Sequence, residues 1–354
     1  MTILKKNRHP RSIPYISSFL GDRENHWIIA DVGARDGDPG WAPLEGTARF
    51  VGFEPDEAEC ARLNTGSSDA RFYPVALHDR SGDLPFFLTE LEYCHGFYGA
   101  NPAYFGRFPN YVNNSVRDRI TVRTTTMDEF MTESRLSHVD FLKIDTEGSE
   151  LDILRGARNT LAQGHLLGVL SEFWWDPRIK SQPAFTDLDR FMRDAGFSLF
   201  DIECQRYPRS TLPLGAGLSS AVLGCPPYRK HGQILTGDAL YFRDPVWDLR
   251  ESPGAFPWND LTVLRLVGLL DLFGYPDFAI EILDTFRDRF ARKVDVDHLF
   301  DLLVPPIGGV VLPFDKYWEL SAKVFRRRNL APHIREKLKL EMPRYSPKNR
   351  RRLR

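Results

Sequence analysis

Acidic side chains gather where apolar runs stop. The stretch FLKIDTEGSELDILRGA (141–157) sets Asp145, Glu147 and Glu150 directly behind an apolar run. Apolar residues then return at Leu151, Leu154, Ala157 and Leu161, which is helical spacing. A buried strand therefore ends in an acidic turn and feeds a helix. In an open α/β sheet, ligands sit in the crevice at the carboxyl ends of the strands. An acidic turn there repels phosphate and favours a cation, an ammonium group or a hydroxyl donor. Asp145 is the first candidate for orienting an acceptor hydroxyl or taking its proton. Glu172, at the end of LSEFWW, reaches for the same crevice. No third ligand accompanies these two carboxylates, so no metal is expected. Glu147 and Glu150 also fit the role of first-turn acids facing a helix dipole.

The stretch DVGARDG (31–37) carries Gly33 and Gly37 with Arg35 where a dinucleotide fingerprint has its second glycine. Asp31, Asp36 and Asp38 crowd the same turn, which disfavours a pyrophosphate. A ligand with an amino-acid-like end fits better. Gly33 lets it lie against the backbone, and Asp31 accepts a hydrogen bond from its ammonium group. Glu54, in GFEPD (52–56), follows Gly33 by 21 residues and is placed to hold a ribose diol. A nucleoside joined to an amino acid without phosphates describes S-adenosylmethionine.

These residues need a scaffold of alternating strands and helices. Expected strands are 27–33, 48–54, 70–77, 139–145 and 166–173. Helical patterns cover 56–64, 126–134 and 149–162, and Thr126 with Glu129 forms a capping box. A helix over 185–197 precedes an antiparallel pair, 198–203 and 239–244. That alternation implies an α/β fold with a mostly parallel sheet and helices on both faces. HDRSGDLPFFLT (78–89) reads as an extra strand, and 93–111 as a long aromatic loop that packs on the sheet edge or closes over a flat acceptor. His78 and His95 stand near it as structural residues or proton acceptors, and Trp174 and Trp175 as core, lid or stacking residues. Beyond Pro245 the pattern is helical only, with a hairpin across GYPD and a stripe of Ala279, Ile282, Leu283, Phe286 and Phe290. The divisions are an extension (1–26), the chemistry-bearing domain (27–244), a small helical accessory domain for docking or self-association (245–340) and a basic tail (341–354).

The charge is uneven although the 354 residues sum to −1. From Lys323 onward 13 Lys/Arg face two acids, giving +11, while the rest holds 34 bases and 46 acids, giving −12. Arg326–Arg328 and Arg350–Arg352 attract anions or form a solvated end. No base-reading module accompanies them, so no sequence-specific nucleic acid is expected. The four cysteines share no metal-ligand spacing. No apolar h-region follows the N-terminus, and 261–273 is too short and too charged to span a bilayer. The sequence reads as soluble and cytoplasmic, and Asn113-Asn114-Ser115 is no glycosylation site on that reading.

Over 27–205 the chain resembles the FkbM-type S-adenosylmethionine-dependent methyltransferases. DVGARDG is similar to the family's first motif, GFEPD to its second and VALHDRSGDLPFF to its third-strand segment. TTTMDEF followed by VDFLKIDTEGSELDILRGA is similar to its most diagnostic stretch. The resemblance implies a Rossmann-like class I methyltransferase fold with a seven-stranded sheet, and O-methylation of a hydroxyl on a glycan, glycolipid or natural product. By position it implies that Asp31, Gly33 and Ala34 contact the methionine end, with Arg35 and Gly37 in the same turn. It further implies Glu54 and Pro55 at the ribose, Val75, Ala76 and Leu77 around the adenine, and Asp145 facing the transferred methyl. Two departures are Arg35, where a smaller polar residue is common, and the prolines at 39 and 43, which shorten the next helix. The rivals are an NAD(P)-dependent oxidoreductase on a similar sheet and a non-catalytic scaffold of the same fold.

Overall fold

The computed structural model describes residues 6–7, 9–66, 69–108, 111–162, 166–175, 182–211, 232–254, 256–290, 293–307 and 309–327. Cys225, Arg328, Arg350–Arg352 and the basic tail lie outside them.

The apolar runs become the middle of a sheet. Strand β1 (Trp27–Val32) is buried at every residue, as are β7 (Phe141–Ile144) and β8 (Gly168–Trp174). With β2 (Ala48–Phe53) and β3 (Ala70–Tyr73) they run parallel. Strand β10 (Gln233–Arg243) enters antiparallel between β8 and β9 (Phe197–Tyr207). The order is β3-β2-β1-β7-β8-β10-β9, so the chain reverses direction across the sheet between β1 and β7. This is the expected seven-stranded, mostly parallel sheet, with both closing strands longer than the sequence pattern suggests.

The expected strand over 70–77 is instead two, broken before Ala76 by Pro74. Strand β4 (Ala76–Leu77) leaves the main sheet and joins β5 (Gly82–Thr89) and β6 (Val116–Thr125) in a second sheet, ordered β4-β6-β5. The extra strand at 78–89 was legible; β6 was not. Its side chains alternate Val, Asp, Ile, Val with Arg, Arg, Thr, Arg, and most are exposed, so no apolar run marks it.

Even-numbered β1 residues Ile28, Ala30 and Val32 share one core with three helices and a fourth single turn. These are α5 (Met127–Ser134), α6 (Glu150–Arg155), α7 (Arg158–Ala162) and α8 (Phe185–Asp194). The helix expected over 149–162 is thus two pieces, the first ending at Gly156. Earlier helices are α1 (Ser12–Leu20), α2 (Glu57–Leu63), α3 (Pro102–Phe105) and α4 (Tyr111–Asn114).

The opposite face, through Trp27, Ile29, Phe141, Leu170, Leu240 and Phe242, is covered by elements from both ends of the chain. After β1, Pro39–Leu44 forms only a six-residue 3-10 helix, too short to cover it. The chain then supplies α9 (Pro245–Glu251), α10 (Asp260–Phe273), α11 (Pro276–Thr285), α12 (Arg287–Phe290), α13 (Val296–Leu303) and α14 (Phe314–Arg327). Helix α10 is buried from Thr262 to Phe273 and packs beside α1. The stripe Ala279, Ile282, Leu283, Phe286 and Phe290 faces this same core. The helices after residue 245 therefore form one layer of the sheet's own core.

Charged residues lock that layer down. Asp140 is fully buried at the start of β7, 3.0 Å from Arg265 of α10 and 3.3 Å from His138. Asp271 of α10 accepts from the Ser12 amide (3.1 Å) and hydroxyl (2.6 Å), which satisfies donors at the start of α1. Among the described residues no helix is long and apolar enough to cross a membrane.

Candidate active site

A crevice of about 2230 Å³ opens over the carboxyl ends of β1, β2, β7 and β8. Val32, Phe53 and Leu77 supply apolar floor, while Phe86, Leu88, Ile120 and Val122 of the small sheet form a wall. Of the residues expected to contact a cofactor or acceptor, Gly33, Arg35, Gly37, Glu54, Pro55, Ala76, Leu77, Asp145 and Glu172 line this crevice. Asp31, Ala34 and Val75 do not line it.

The turn after β1 is set by its neighbours. The Gly33 and Ala34 amides both donate to the Phe53 carbonyl, at 3.1 and 3.2 Å. Gly33 has φ +76°, and a Cβ there would stand 2.0 Å from the Asp145 carbonyl oxygen. The glycine thus lets the β1 and β7 turns touch, a role distinct from the ligand contact expected of it. Arg35 donates to Asp56 and Glu92, both at 2.9 Å, and so braces the rim between three segments. Asp36, at φ 62°, is held by Arg62, Tyr93 and the Glu59 carboxylate that receives its amide.

Asp31 and Lys143 are register partners on adjacent strands, and their side chains pair at 2.9 Å. The Lys143 ammonium also lies 3.7 Å from Asp145. Burial pushes the Asp31 carboxyl above its ordinary range, with Lys143 opposing the rise. Burial acts to lower the Lys143 amine, but the Asp31 and Asp145 carboxylates outweigh it and hold it above its usual value. Sequence reasoning missed Lys143. A charged residue inside an otherwise apolar strand was its signal, but its partner depends on strand register. Glu54 is buried at the end of β2, where desolvation raises its pKa against the Asp56 amide it accepts at 2.9 Å.

Glu150 shapes the turn after β7. One of its carboxylate oxygens accepts from the Thr146 amide and hydroxyl (both 3.1 Å) and from the Gly148 amide (2.9 Å). That closes a loop in which Glu147 adopts φ 61°, and it fixes the path of the chain beyond Asp145. Burial drives the Glu150 carboxyl up to about 7 in spite of these donors. A raised acid pKa in the folded state favours folding below the unfolded value, and that contribution disappears as pH rises through 7. Urea unfolding at pH 5 and pH 8 should therefore show wild type losing up to about 3 kcal/mol through this group. Glu150→Gln should lack that loss; equal pH slopes would contradict it.

At the far end, Glu172 accepts from the Thr236 hydroxyl at 3.0 Å. Register sets Glu172 beside Asp238 and Asp238 beside Glu203. Trp174, Glu203, Gln205 and Tyr207 complete this wall. Only Trp174 was singled out from sequence, because β9 and β10 extend further than their apolar runs. Trp174 also packs on Phe105 of the aromatic loop, with ring centres 5.7 Å apart, whereas Trp175 is exposed against Phe185. The loop is thus divided: Tyr104, Phe105 and Phe108 pack, while Tyr93, His95 and Phe97 line the crevice.

His95 Nδ1 accepts from the Thr89 amide at 3.1 Å, which leaves the proton of the neutral ring on Nε2. Burial also lowers its pKa. His78 lies outside the crevice, beside Phe97 and 2.7 Å from Asp79. Among the described residues no group of three or more His, Cys, Asp or Glu side chains is placed to hold a metal ion.

Residues 31–199 match the family described as the methyltransferase FkbM domain. The 2-O-methyltransferase NoeI of Sinorhizobium fredii (strain NBRC 101917 / NGR234) is 28% identical over 146 residues. That match covers 38% of this chain and 59% of NoeI, so the chain spans about six-tenths of the relative's length. Among solved structures, magnesium protoporphyrin IX methyltransferase of Synechocystis PCC 6803, with bound SAM, is 8% identical. It covers 66% of this chain and 79% of its own, with a TM-score of 0.30. A TehB-like SAM-dependent methyltransferase of Corynebacterium glutamicum ATCC 13032 is 11% identical, covers 66% and 87%, and scores 0.28. Likeness at such scores bears no weight; the strand order and the family match do. Over residues 31–199, a little under half of its length, the chain is similar to the methyltransferase FkbM domain.

Proposed function

We propose that the crevice binds S-adenosylmethionine and that the protein methylates a hydroxyl on a glycan, glycolipid or other small-molecule acceptor. The observation that carries this is the grouping of Gly33, Glu54 and Asp145 at the ends of three strands around one crevice. The residues present fit the cofactor. A buried carboxylate at the end of β2 suits a ribose diol, and Phe53, Ala76 and Leu77 offer apolar surface for a base. The Asp145 carboxylate, which lines the crevice, suits the ammonium group of an amino-acid end.

When bound, the cofactor supplies a methyl group on a sulfonium, the electrophile of the reaction. This chain's residues would align the acceptor oxygen and manage its proton. Asp145 meets the acceptor hydroxyl, with the Lys143 ammonium 3.7 Å from its carboxylate. Glu172, steadied by Thr236, accepts a hydrogen bond from a second acceptor hydroxyl. Trp174 and Tyr207 offer faces for a sugar ring. The name of the curated relative, a 2-O-methyltransferase, supports a hydroxyl acceptor.

Among the described residues, those lining the crevice all precede residue 245, so the later helices act as support for the chemistry-bearing part. Self-association through their apolar stripe lacks support, because the chain itself covers it. The nicotinamide reading is disfavoured by the acidic turns and by Arg35 in the fingerprint position.

Calorimetric titration with S-adenosylmethionine and, separately, NADH tests the proposal. Saturable binding of the first alone is expected. Glu54→Ala should weaken it about 10-fold or more, through the lost hydrogen bonds of a charged group. NADH binding would favour the oxidoreductase. Cofactor binding without methylation of any acceptor would favour the scaffold.

A further inference from the structure

Residues before the matched domain reach the crevice. Lys6, Asn7 and His9 line it beside Gly37, Asp38 and Gly40. The strap is anchored on α10, where the Asn7 amide donates to the Leu272 carbonyl at 2.6 Å. The Lys6 side chain is only 5% exposed, pairs with Asp38 at 2.6 Å and lies over the Trp41 ring at 4.1 Å.

An amino-acid end brings a carboxylate as well as an ammonium group, and the carboxylate needs a cation. Among the described residues, Lys6, Arg35 and Lys143 bring cations to this end of the crevice. Lys143 is engaged by Asp31 and Asp145, and Arg35 by Asp56 and Glu92. Lys6 faces the Asp38 carboxylate, and an ammonium has three donors. Burial holds its pKa below the ordinary value, with Asp38 offsetting only part of that, so a second anion would be favourable there. The 3-10 turn is also built around it: a Cβ on Gly40 would lie 2.8 Å from the Lys6 nitrogen and 3.2 Å from its Cδ.

Resting on the donor-site reading above, we infer that Lys6 binds the carboxylate of the donor's amino-acid end, so that the N-terminal strap completes the cofactor pocket. The test uses the full chain and two probes, S-adenosylhomocysteine and 5′-methylthioadenosine, which lacks the amino-acid end. Lys6→Ala should weaken the first about 10- to 100-fold, the range for a charge-assisted hydrogen bond, and leave the second within about twofold. Lys6→Arg should restore part of the loss. Gly40→Ala, which displaces a flexible side-chain tip, should reproduce the selective effect. Equal losses for both probes, or none, would overturn the inference and make Lys6 a purely structural strap. A folded wild type that binds neither probe would overturn the donor-site reading itself, and this inference with it.

Discussion

Gly33→Ala is expected to abolish S-adenosylmethionine binding in calorimetry and to lower the unfolding free energy by about 3 kcal/mol or more. Two effects add. A left-handed φ of +76° is unfavourable for any residue with a Cβ, by about 1–2 kcal/mol. The new methyl would also stand 2.0 Å from a backbone oxygen. That oxygen has little room to yield, because the Asp145 amide is itself bonded to the Val32 carbonyl at 3.0 Å. Gly37 is the control: its φ is +68°, but nothing lies within 4 Å of a Cβ there. Gly37→Ala should therefore lose only about 1–2 kcal/mol and remain folded. Equal behaviour of the two variants in urea unfolding would rule out the turn-to-turn contact as the cause.

The second large effect concerns the underside of the sheet. Arg265→Leu is expected to lower stability by about 3–5 kcal/mol, because it leaves the fully buried Asp140 without its guanidinium partner. Asp140→Leu should be comparably severe, since the Ile28 amide also loses its 2.9 Å acceptor. The double Leu variant should recover a substantial part of the loss, as replaced buried ion pairs often do. Donor affinity should stay near wild type wherever the variants are folded, because neither residue lines the crevice. Additive single losses in urea unfolding would show that the pair is not a coupled unit.

What was legible in the sequence follows from how local each signal is. Strands β1, β7 and β8 read correctly because burial on both faces leaves continuous apolar runs. That Glu54 and Asp145 line the crevice was legible because each stands directly behind such a run. Strand β6 was missed because it is largely exposed and carries arginine and threonine. Lys143 and Asp31 lie 112 residues apart, and only register makes them partners. Lys6 escaped notice for a similar reason: it precedes the first strand, and its place depends on how α10 packs. The apolar character of α10 was plain, but periodicity gives no indication of which surface a buried helix covers.

The layer made of α1, α10, α11 and α13 has a consequence for how the chain comes into being. During synthesis β1, β7 and β8 are complete at Trp174, 86 residues before α10 begins at Asp260, so their side of the sheet lacks its cover over that stretch. Trp27, Ile29 and Phe141 are then open to chaperones or to neighbouring chains. Closing that side joins the first helix to the last third of the sequence, a long-range step that slows folding. A chain cut short near residue 245 would hold every strand of the main sheet but none of the helices α10, α11 and α13 that cover Trp27, Ile29 and Phe141.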